Sequence, residues 1–427
     1  MKLSNFIPKI FNRAKSESIR SRKPATGYSG GTVVDENSAM TVSSYYRGVM
    51  YISSQLAKLP IHIKNKDNEV LDNNISFLLN VQPNVETTAY HFKLFLIQCA
   101  INTGHGYAEI VKTGDGRPTE LWPLNPKRVT PTRNEAGQLF YQIYEGGLNG
   151  ETTYLRPDEI LIFRNIHTRD GIQAESTIAF AMEALGISLG ADRFANGLYA
   201  NGGLPSGVLT HPGSLSDEAY SRLAESWKKS VGGRKTGATA ILEEGVTYSP
   251  VSHSPDILQF VDTRKFGVIE IARFLGVPPI KLFDMDSAKY GNMEQVQLEV
   301  ATDILDAWAR NIESEIDIKL LKGRRANQRC EMDLYAVFRG DMSTRSTYFT
   351  KMMQSAAMTP NEIRIREGMA PYKDGDRFFL ATNNFSPMDR VDEIIDNQVA
   401  PEPTPAPSNE PDPASEAIAK YIEKKLN

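Results

Sequence analysis

Apolar residues in the central part of the chain recur at two alternating spacings, one typical of helices and the other of strands. Between Val42 and Leu59 they fall every three or four residues, which predicts a helix. A second helix is predicted to begin near residue 87. After Gly104, short apolar runs separated by turn residues predict strands at 107–112, 120–124 and 139–144. Residues 41–175 therefore form one predicted α+β unit.

Two long helical runs flank a small insert. The first helix is predicted over 176–203. The second is predicted over 254–276, because Ser254 is a suitable N-cap and Gly276 is a suitable stop. Between them, residues 204–253 predict a β-α-β segment with a basic loop. This order favours two helices that project the insert away from the α+β unit.

A loop predicted at 277–293 leads into a long helix predicted at 294–322. Four residues advance an α-helix by about 400°, so a stripe with four-residue steps winds about 240° around this helix. Such winding favours contact with several neighbours, although an ordinary helix buried in one domain gives the same pattern. The other side of the helix is mostly acidic. The stripe consists of Val296, Val300, Ile304, Trp308, Ile312, Ile316 and Leu320.

The two ends of the chain differ from its middle in composition. Residues 1–40 begin with seven basic side chains before Pro24, which predicts either a mobile basic arm or one that touches nucleic acid or a membrane surface. Six prolines between 401 and 413 predict an extended linker. Residues 417–426 follow it with the pattern of a short amphipathic helix.

Composition excludes several classes of protein. The 427 residues are too many for one ordinary domain, and two cysteines exclude a disulfide scaffold. A net charge of −4 argues against a protein that grips nucleic acid over its whole surface. The longest apolar run is too short to cross a bilayer, so no transmembrane helix is predicted.

Motifs for catalysis or metal binding are incomplete. Residues 27–31 carry the letters of a nucleophile elbow around Ser29, but no apolar strand precedes them. The loop at 232–237 resembles a phosphate loop whose lysine precedes its second glycine. Asp284 and Asp286 resemble the start of a calcium loop without its later ligands. No enzyme, cofactor or metal is predicted, and a hydrolase using Ser29 is an alternative that alanine substitution would test.

Short motifs spread over residues 40–385 occur in a characteristic order. The most specific is Ile271-Ala-Arg-Phe-Leu-Gly-Val-Pro-Pro279. The others are Leu78-Leu79 with Pro83-Asn84, Leu121-Trp-Pro-Leu-Asn-Pro126 with Val129, Phe194-Ala-Asn-Gly197, Pro205-Ser-Gly-Val-Leu209, Asn292-Met-Glu-Gln295, Arg339-Gly-Asp341, and Asn361-Glu-Ile-Arg364 with Gly368. This ordered set resembles the portal proteins of tailed bacteriophages, in the Hong Kong-type siphophage branch. One departure is Gly104-His-Gly-Tyr107, in a predicted turn where the family has Gly-Asn-Ala-Tyr.

The resemblance implies an α+β portal fold that assembles as a ring. Its parts would be an α/β wing, two stem helices, a small β-α-β clip, a tunnel loop with a long helix, and a mainly helical crown. In this numbering they are the arm 1–40, wing 41–175, stem helix 176–203, clip 204–253, stem helix 254–276, tunnel loop 277–293, tunnel helix 294–322, wing and crown 323–399, and tail 400–427.

The resemblance also implies a function in the virion, after assembly in the host cytoplasm. A homo-dodecameric ring at one capsid vertex would let double-stranded DNA enter during packaging and leave during ejection, without reading its sequence. Implied partners are other copies of the chain, the large terminase subunit, the head–tail connector, and the major capsid protein or a scaffold. No membrane is implied. The alternative is a nucleic-acid-binding adaptor or scaffold module that forms no ring.

Four groups of residues receive roles from this resemblance. The DNA-facing tunnel loop would use Lys281, Asp284, Asp286, Lys289, Tyr290 and Asn292, although its lysines would equally suit ion pairs between subunits. Acidic walls repel phosphates, which suits a channel lined by Glu299, Asp303 and Asp306. The subunit interface would use Val296, Val300, Ile304, Trp308 and Ile312. Arg234 and Lys235 of the clip loop would face the motor or the connector, or else solvent.

Overall fold

The structure is a computed structural model, and the chain divides into two compact units, Met1–Val337 and Phe338–Asn427. Each unit is considered by itself. The residues that the structure describes are 26–144, 152–168, 171–200, 207–231, 245–250, 256–284, 293–321, 327–334, 342–381, 385–387 and 413–426.

The first unit contains the predicted helices and two short helices, at 36–39 and 74–80, that the sequence analysis did not predict. They are α1 (Glu36–Ala39), α2 (Ser43–Ala57), α3 (Asn74–Asn80), α4 (Ala89–Thr103), α5 (Thr177–Ala200), α6 (Asp217–Val231), α7 (Asp256–Leu275), α8 (Met293–Glu299) and α9 (Asp306–Lys319). A π-helical segment, Val300–Leu305, joins α8 to α9 without a break. The predicted long helix is therefore present from Met293 to Lys319.

Strands of the first unit are short and pair only with antiparallel neighbours among the described residues. The strands are β1 (Gly27–Ser29), β2 (Thr32–Val34), β3 (Ile61–Lys64), β4 (Val70–Leu71), β5 (His105–Lys112), β6 (Pro118–Leu124), β7 (Val129–Arg133), β8 (Leu139–Tyr144), β9 (Thr152–Leu155), β10 (Ile160–Arg164), β11 (Gly207–Thr210), β12 (Thr247–Pro250) and β13 (Arg329–Met332). Three-stranded sheets have the orders β10-β5-β6, β13-β3-β4 and β7-β8-β9, and β1-β2 and β11-β12 form two-stranded sheets.

The sheet that contains β5 and β10 separates two apolar clusters. Successive side chains of a strand point to opposite faces, so each strand contributes to both clusters. Ala108, Ile110, Leu161 and Phe163 join the large cluster formed with α2 and α4. Tyr107, Ile160 and Ile162 join the smaller cluster formed with β7, β8 and β9. Burial on both faces fixes the position of this sheet within the first unit.

The β1–β2 hairpin packs along α5, and this contact depends on a glycine. A Cβ atom on Gly186 would lie only 2.7 Å from the Ser29 side chain, so only glycine permits this approach without a shift. Residues 26–40 lie within the span predicted to be a mobile arm, and that prediction is wrong for them. The basic residues before residue 24 lie outside the described part of the chain.

The helices that flank the insert also follow the predicted pattern. Arg264 of α7 pairs with Asp192 of α5 at 2.8 Å, and α7 ends at Leu275, directly before Gly276 with its φ of +67°. Between these helices, β11, α6 and β12 provide the predicted β-α-β order. The predicted turn at 104–107 is wrong, because His105 and Gly106 already belong to β5, and His105 is buried.

The second unit contains α10 (Met342–Gln354), α11 (Pro360–Arg366), the hairpin of β14 (Phe379–Ala381) and β15 (Phe385–Pro387), and α12 (Pro413–Leu426). A capping box between Thr359 and Glu362 begins α11. The amphipathic helix predicted at 417–426 is confirmed by α12. In the parts of the chain described above, no helix is long and apolar enough to cross a bilayer.

Burial of one lysine gives the first unit a specific dependence on pH. Lys93 of α4 is 5% exposed, and its ammonium donates a hydrogen bond to the carbonyl oxygen of Leu59 at 2.9 Å. Burial lowers the pKa of Lys93 from 10.5 to about 8. Between those values the unfolded chain holds a proton that the folded protein has released, so the free energy of unfolding increases as pH rises.

We predict that the free energy of unfolding increases by about 2 kcal/mol between about pH 7.5 and about pH 9.5, and that Lys93→Met removes this increase. Urea unfolding of both proteins at about pH 7.5 and about pH 9.5 measures the effect. Lys66→Met removes an exposed lysine and controls for the loss of one positive charge. The prediction is contradicted if the difference in free energy of unfolding between wild type and Lys93→Met is the same at both pH values.

Candidate functional site

The long helix buries its apolar stripe inside its own chain. Val300, Trp308 and Ile312 are at most 3% exposed and belong to the large core cluster. These residues are unavailable to another subunit, so the predicted interface is wrong for all three. Val296 is half-buried and Ile304 packs partly buried against the cluster. Their role at an interface stays a prediction.

The π-helical segment reduces the winding of the stripe only in part. A π turn contains about 4.4 residues, so a four-residue step there covers about 330°. The same step covers about 400° in an α-helix. Only the step from Val300 to Ile304 lies in this segment, so its shortfall of about 30° offsets a small part of the excess of about 200° in the other five steps. The stripe still winds by about 170°, and it stays buried because the helix meets different elements of its own chain along its length: α2 at the π-helical segment, and β10 and β13 at α9.

The three residues predicted to form an acidic channel wall differ in their surroundings. Glu299 and Asp303 are exposed, and Asp303 accepts a hydrogen bond from the neighbouring Thr302 hydroxyl at 2.9 Å. Asp306 is half-buried and pairs with Arg310 at 3.3 Å. Two of the three carboxylates thus face solvent, while the charge of the third is partly neutralised within α9. Their channel role stays a prediction.

Two further acidic residues of the long helix serve the fold instead. Glu313 and Asp317 accept hydrogen bonds from the backbone N–H groups of Met332 and Cys330, at 2.7 and 2.6 Å. Burial raises the pKa of both carboxyls. These two hydrogen bonds hold α9 to β13, a strand that follows the helix in the sequence. The acidic pattern of the helix does not show that these carboxylates bind backbone N–H groups of that strand.

The turn before the long helix brings together residues from three parts of the sequence. Residues Pro279–Leu282 form a 3₁₀ turn, and the next residue, Phe283, has a φ of +65° and a side chain that is 71% exposed. Arg47 of α2 donates a hydrogen bond from Nε to the carbonyl oxygen of Lys281 at 3.2 Å. The ammonium of Lys281 donates to Gln297 Oε1 of α8 at 2.7 Å.

This geometry bears on the predicted tunnel loop. Lys281 is half-buried, and burial lowers the pKa of its ammonium group. Its contact with Gln297 gives Lys281 a structural role that the sequence did not reveal. Asp284 is half-buried at the end of the same turn. Asp286, Lys289, Tyr290, Asn292, Arg234 and Lys235 lie outside the described residues.

A surface that the sequence analysis missed lies on α5 and α7. Phe180, Ile187 and Phe194 follow one another at seven-residue spacing on α5, and each is at least 37% exposed. On α7, Phe266 and Phe274 are also exposed. We call these five residues the α5–α7 apolar face. The seven-residue spacing was visible in the sequence, but the sequence analysis used Phe194 only as part of a motif and did not consider Phe180 or Ile187.

An open cavity of about 450 Å³ adjoins the α5–α7 apolar face. Its lining combines the buried Ile52, Ile101 and Trp308 with the exposed Ile166, Phe180 and Phe274. Large exposed apolar surfaces with a pocket are typical of sites that receive a protein partner. The α5–α7 apolar face is therefore a stronger candidate for a protein interface than the buried stripe of the long helix.

The structure adds no support to the incomplete catalytic motifs. Ser29 lies in the β1–β2 hairpin against Gly186, and not at a sharp strand-to-helix turn. Across the described residues, no group of three or more His, Cys, Asp or Glu side chains is placed to hold a metal ion. Both cysteines, Cys99 and Cys330, are buried and free.

The chain is similar in sequence to known proteins. A family model described as phage portal protein matches residues 43–368. The portal protein of Enterobacteria phage HK97 is 26% identical over 362 residues, which cover 82% of this chain and 84% of that protein.

Two groups of solved structures share the fold. The crystal structure of an HK97-family phage portal protein from Corynebacterium diphtheriae is 16% identical, with a TM-score of 0.56, over 74% of this chain and 99% of that one. A chain in the neck of a native gene transfer agent particle, solved with C12 symmetry, is 23% identical, with a TM-score of 0.55, over 78% of this chain and 93% of that one.

Trp308 tests whether the long helix acts as part of the core. We predict that Trp308→Ala lowers the free energy of unfolding by about 3–5 kcal/mol, because a large side chain leaves a packed site that already borders a cavity. Leu298→Ala, at a 52% exposed position on the same helix, should change it by less than about 0.5 kcal/mol. Denaturant unfolding measures both, and equal effects would contradict burial of Trp308.

Proposed function

This chain belongs to the phage portal protein family, and from that membership we propose that it forms a closed ring at one vertex of a tailed-phage capsid. The ring contains about twelve copies and passes double-stranded DNA inward during packaging and outward during ejection. It docks the large terminase subunit first and the head–tail connector later. It contacts the major capsid protein or a scaffold during assembly. The observation that carries this proposal is the family match over residues 43–368.

The α5–α7 apolar face supports ring formation. A cyclic ring needs heterologous contacts, in which one surface of each copy meets a different surface of the next. The face offers exposed aromatic and aliphatic side chains beside an open cavity, and such residues dominate interface energies. It replaces the buried stripe of the long helix as the proposed subunit contact.

The exposed acids of the long helix support a channel that binds DNA weakly. Duplex DNA that must move in both directions would be hindered by tight phosphate contacts, and carboxylates repel phosphates. Glu299 and Asp303 are exposed and suit this role. Residues 285–292 follow the turn at Pro279–Leu282, and their lysine and tyrosine can touch the DNA backbone without reading bases.

Native mass spectrometry of the purified chain, with negative-stain images of the same sample, tests the proposal. We expect a closed ring with a central hole and a mass of about a dozen chains. A monomer that persists after addition of capsid protein and scaffold would overturn it. A monomer or dimer that is strongly retained on DNA at moderate salt would instead indicate the nucleic-acid-binding adaptor.

The subunit contact has its own test in Ile187→Glu. Position 187 is 50% exposed, so we predict that the variant folds with an unchanged melting temperature but forms rings in at most about a tenth of the wild-type yield. Val70→Glu, at a position that is 57% exposed on β4, is the matched control and should assemble normally. Native mass and thermal unfolding are measured on the same preparations, and normal rings from Ile187→Glu would exclude this face.

A further inference from the structure

A second exposed apolar surface lies where α3 passes into α4. Phe77 and Tyr90 belong to these two helices, and Val81 and Val85 lie in the connection between them. The four side chains are between 40% and 75% exposed, and Val85 is the most exposed. Exposed apolar residues that occur together in this way are typical of protein interfaces. We call Phe77, Val81, Val85 and Tyr90 the α3–α4 knob.

Hydrogen bonds hold the connection between α3 and α4 in one conformation. The backbone N–H of Ala89 donates to the carbonyl oxygen of Val81 at 3.0 Å and so closes the loop. Asn84 is 4% exposed, and its Oδ1 accepts from the backbone N–H of Glu86 at 2.9 Å. Its Nδ2 donates to the carbonyl oxygen of Leu121 at 2.8 Å. The exposed valines are therefore presented by an ordered loop, which loses little conformational entropy when it binds a partner.

The α3–α4 knob and the cavity beside the α5–α7 apolar face lie at opposite ends of α4. Ala89 begins α4 next to the knob, whereas Ile101, near the end of α4, lines the cavity. A helix rises about 1.5 Å per residue, which separates these two residues by roughly 18 Å. Each copy thus has a protruding apolar surface at one end of α4 and an open cavity at the other. A heterologous contact needs two such surfaces, because both are used at once by each copy in a ring.

The two surfaces also differ in charge. Glu86 follows Val85 in the loop, and its side chain is exposed. Arg273 of α7 is exposed and lines the cavity, with its guanidinium 5.8 Å from the centroid of the Phe266 ring. Among the residues that the structure describes, neither Glu86 nor Arg273 has an ion-pair partner. Opposite charges on two surfaces attract them to each other and fix their register.

We propose that the α3–α4 knob of one copy enters the cavity beside the α5–α7 apolar face of the next copy, with Glu86 directed to Arg273. The inference rests on the proposed function, because it takes the chain to form a ring through the α5–α7 apolar face. It adds the second surface that this contact requires. Val85 is small and strongly exposed, so it can enter an open cavity of about 450 Å³ without rearrangement of either copy.

Reversal of the two charges tests the contact through the yield of rings. Glu86→Arg and Arg273→Glu each bring like charges together at every contact of the ring, so we expect each to lower the yield at least about fivefold. The double variant restores opposite charges with their positions exchanged, and we expect it to recover at least about half of the wild-type yield. Native mass spectrometry measures the yield, and thermal unfolding of the same preparations shows that each variant is folded.

Asp67→Arg is the matched control, because Asp67 is an exposed acid in the turn before β4. The variant should form rings normally by itself, and it should not restore ring formation to Arg273→Glu. If Glu86→Arg assembles normally, or if the double charge variant forms no more rings than Arg273→Glu, the contact is overturned.

Crosslinking identifies the two surfaces directly. Cys99 and Cys330 are buried, so a short bis-maleimide reacts selectively with cysteines introduced at exposed positions. Val85→Cys combined with Ile166→Cys, at a 53% exposed position that lines the cavity, should give a ladder of covalent oligomers from assembled rings on a denaturing gel. Each single variant should stay monomeric on that gel. Dimers from Val85→Cys alone, or the lack of a ladder from rings of the double variant, would overturn the contact.

Assembly of the wild-type protein separates failure of this inference from failure of the proposed function. If wild-type chains form rings and the double charge variant does not recover, the ring stands and its second surface is a different one. Normal rings of Glu86→Arg that fail to enter capsids would assign the α3–α4 knob to the capsid protein and overturn this inference. If wild-type chains form no rings even with capsid protein and scaffold present, the proposed function fails, and this contact fails with it.

Discussion

Burial of the long helix against α2, β10 and β13 is the constraint on which the first unit depends. Val300, Trp308 and Ile312 belong to the same apolar cluster as Leu161 and Phe163, which lie on one face of the β10-β5-β6 sheet. A helix that is committed to its own core in this way cannot also supply the main apolar contact between subunits. The proposed subunit contact therefore uses helices whose apolar residues remain exposed, and α5 and α7 meet that condition.

The acidic residues of the long helix divide according to the same constraint. Towards its C-terminal end, Glu313 and Asp317 turn towards β13 and accept backbone hydrogen bonds there, and Arg164 pairs with the buried Glu315 at 2.8 Å. Nearer its start, Glu299 and Asp303 stay in solvent. A row of like charges thus has two functions: one end anchors the helix, and the other leaves negative charge on the surface.

Sequence reasoning succeeded where local signals determine the element and failed where distant residues do. The helix that ends at Gly276 has its own stop signal, and the structure places its end there. The hairpin at Gly27–Val34 has strands of three residues, too short for a periodic signal, and its position depends on Gly186 far along the chain. The π-helical segment carries no residue pattern that separates it from an α-helix, so the sequence predicted an uninterrupted α-helix there.

The turn before the long helix shows the same limit of sequence reasoning, because its contacts join residues that are distant in the sequence. Lys281 stands near the start of the predicted tunnel loop, and its charge alone suggests contact with phosphate. Its hydrogen bond to Gln297 and the carbonyl contact with Arg47 depend on the folded arrangement of α2, the turn and α8. Sequence reasoning therefore predicts the charge of Lys281 but not its contacts, because Gln297 and Arg47 lie on other helices and meet Lys281 only in the folded chain.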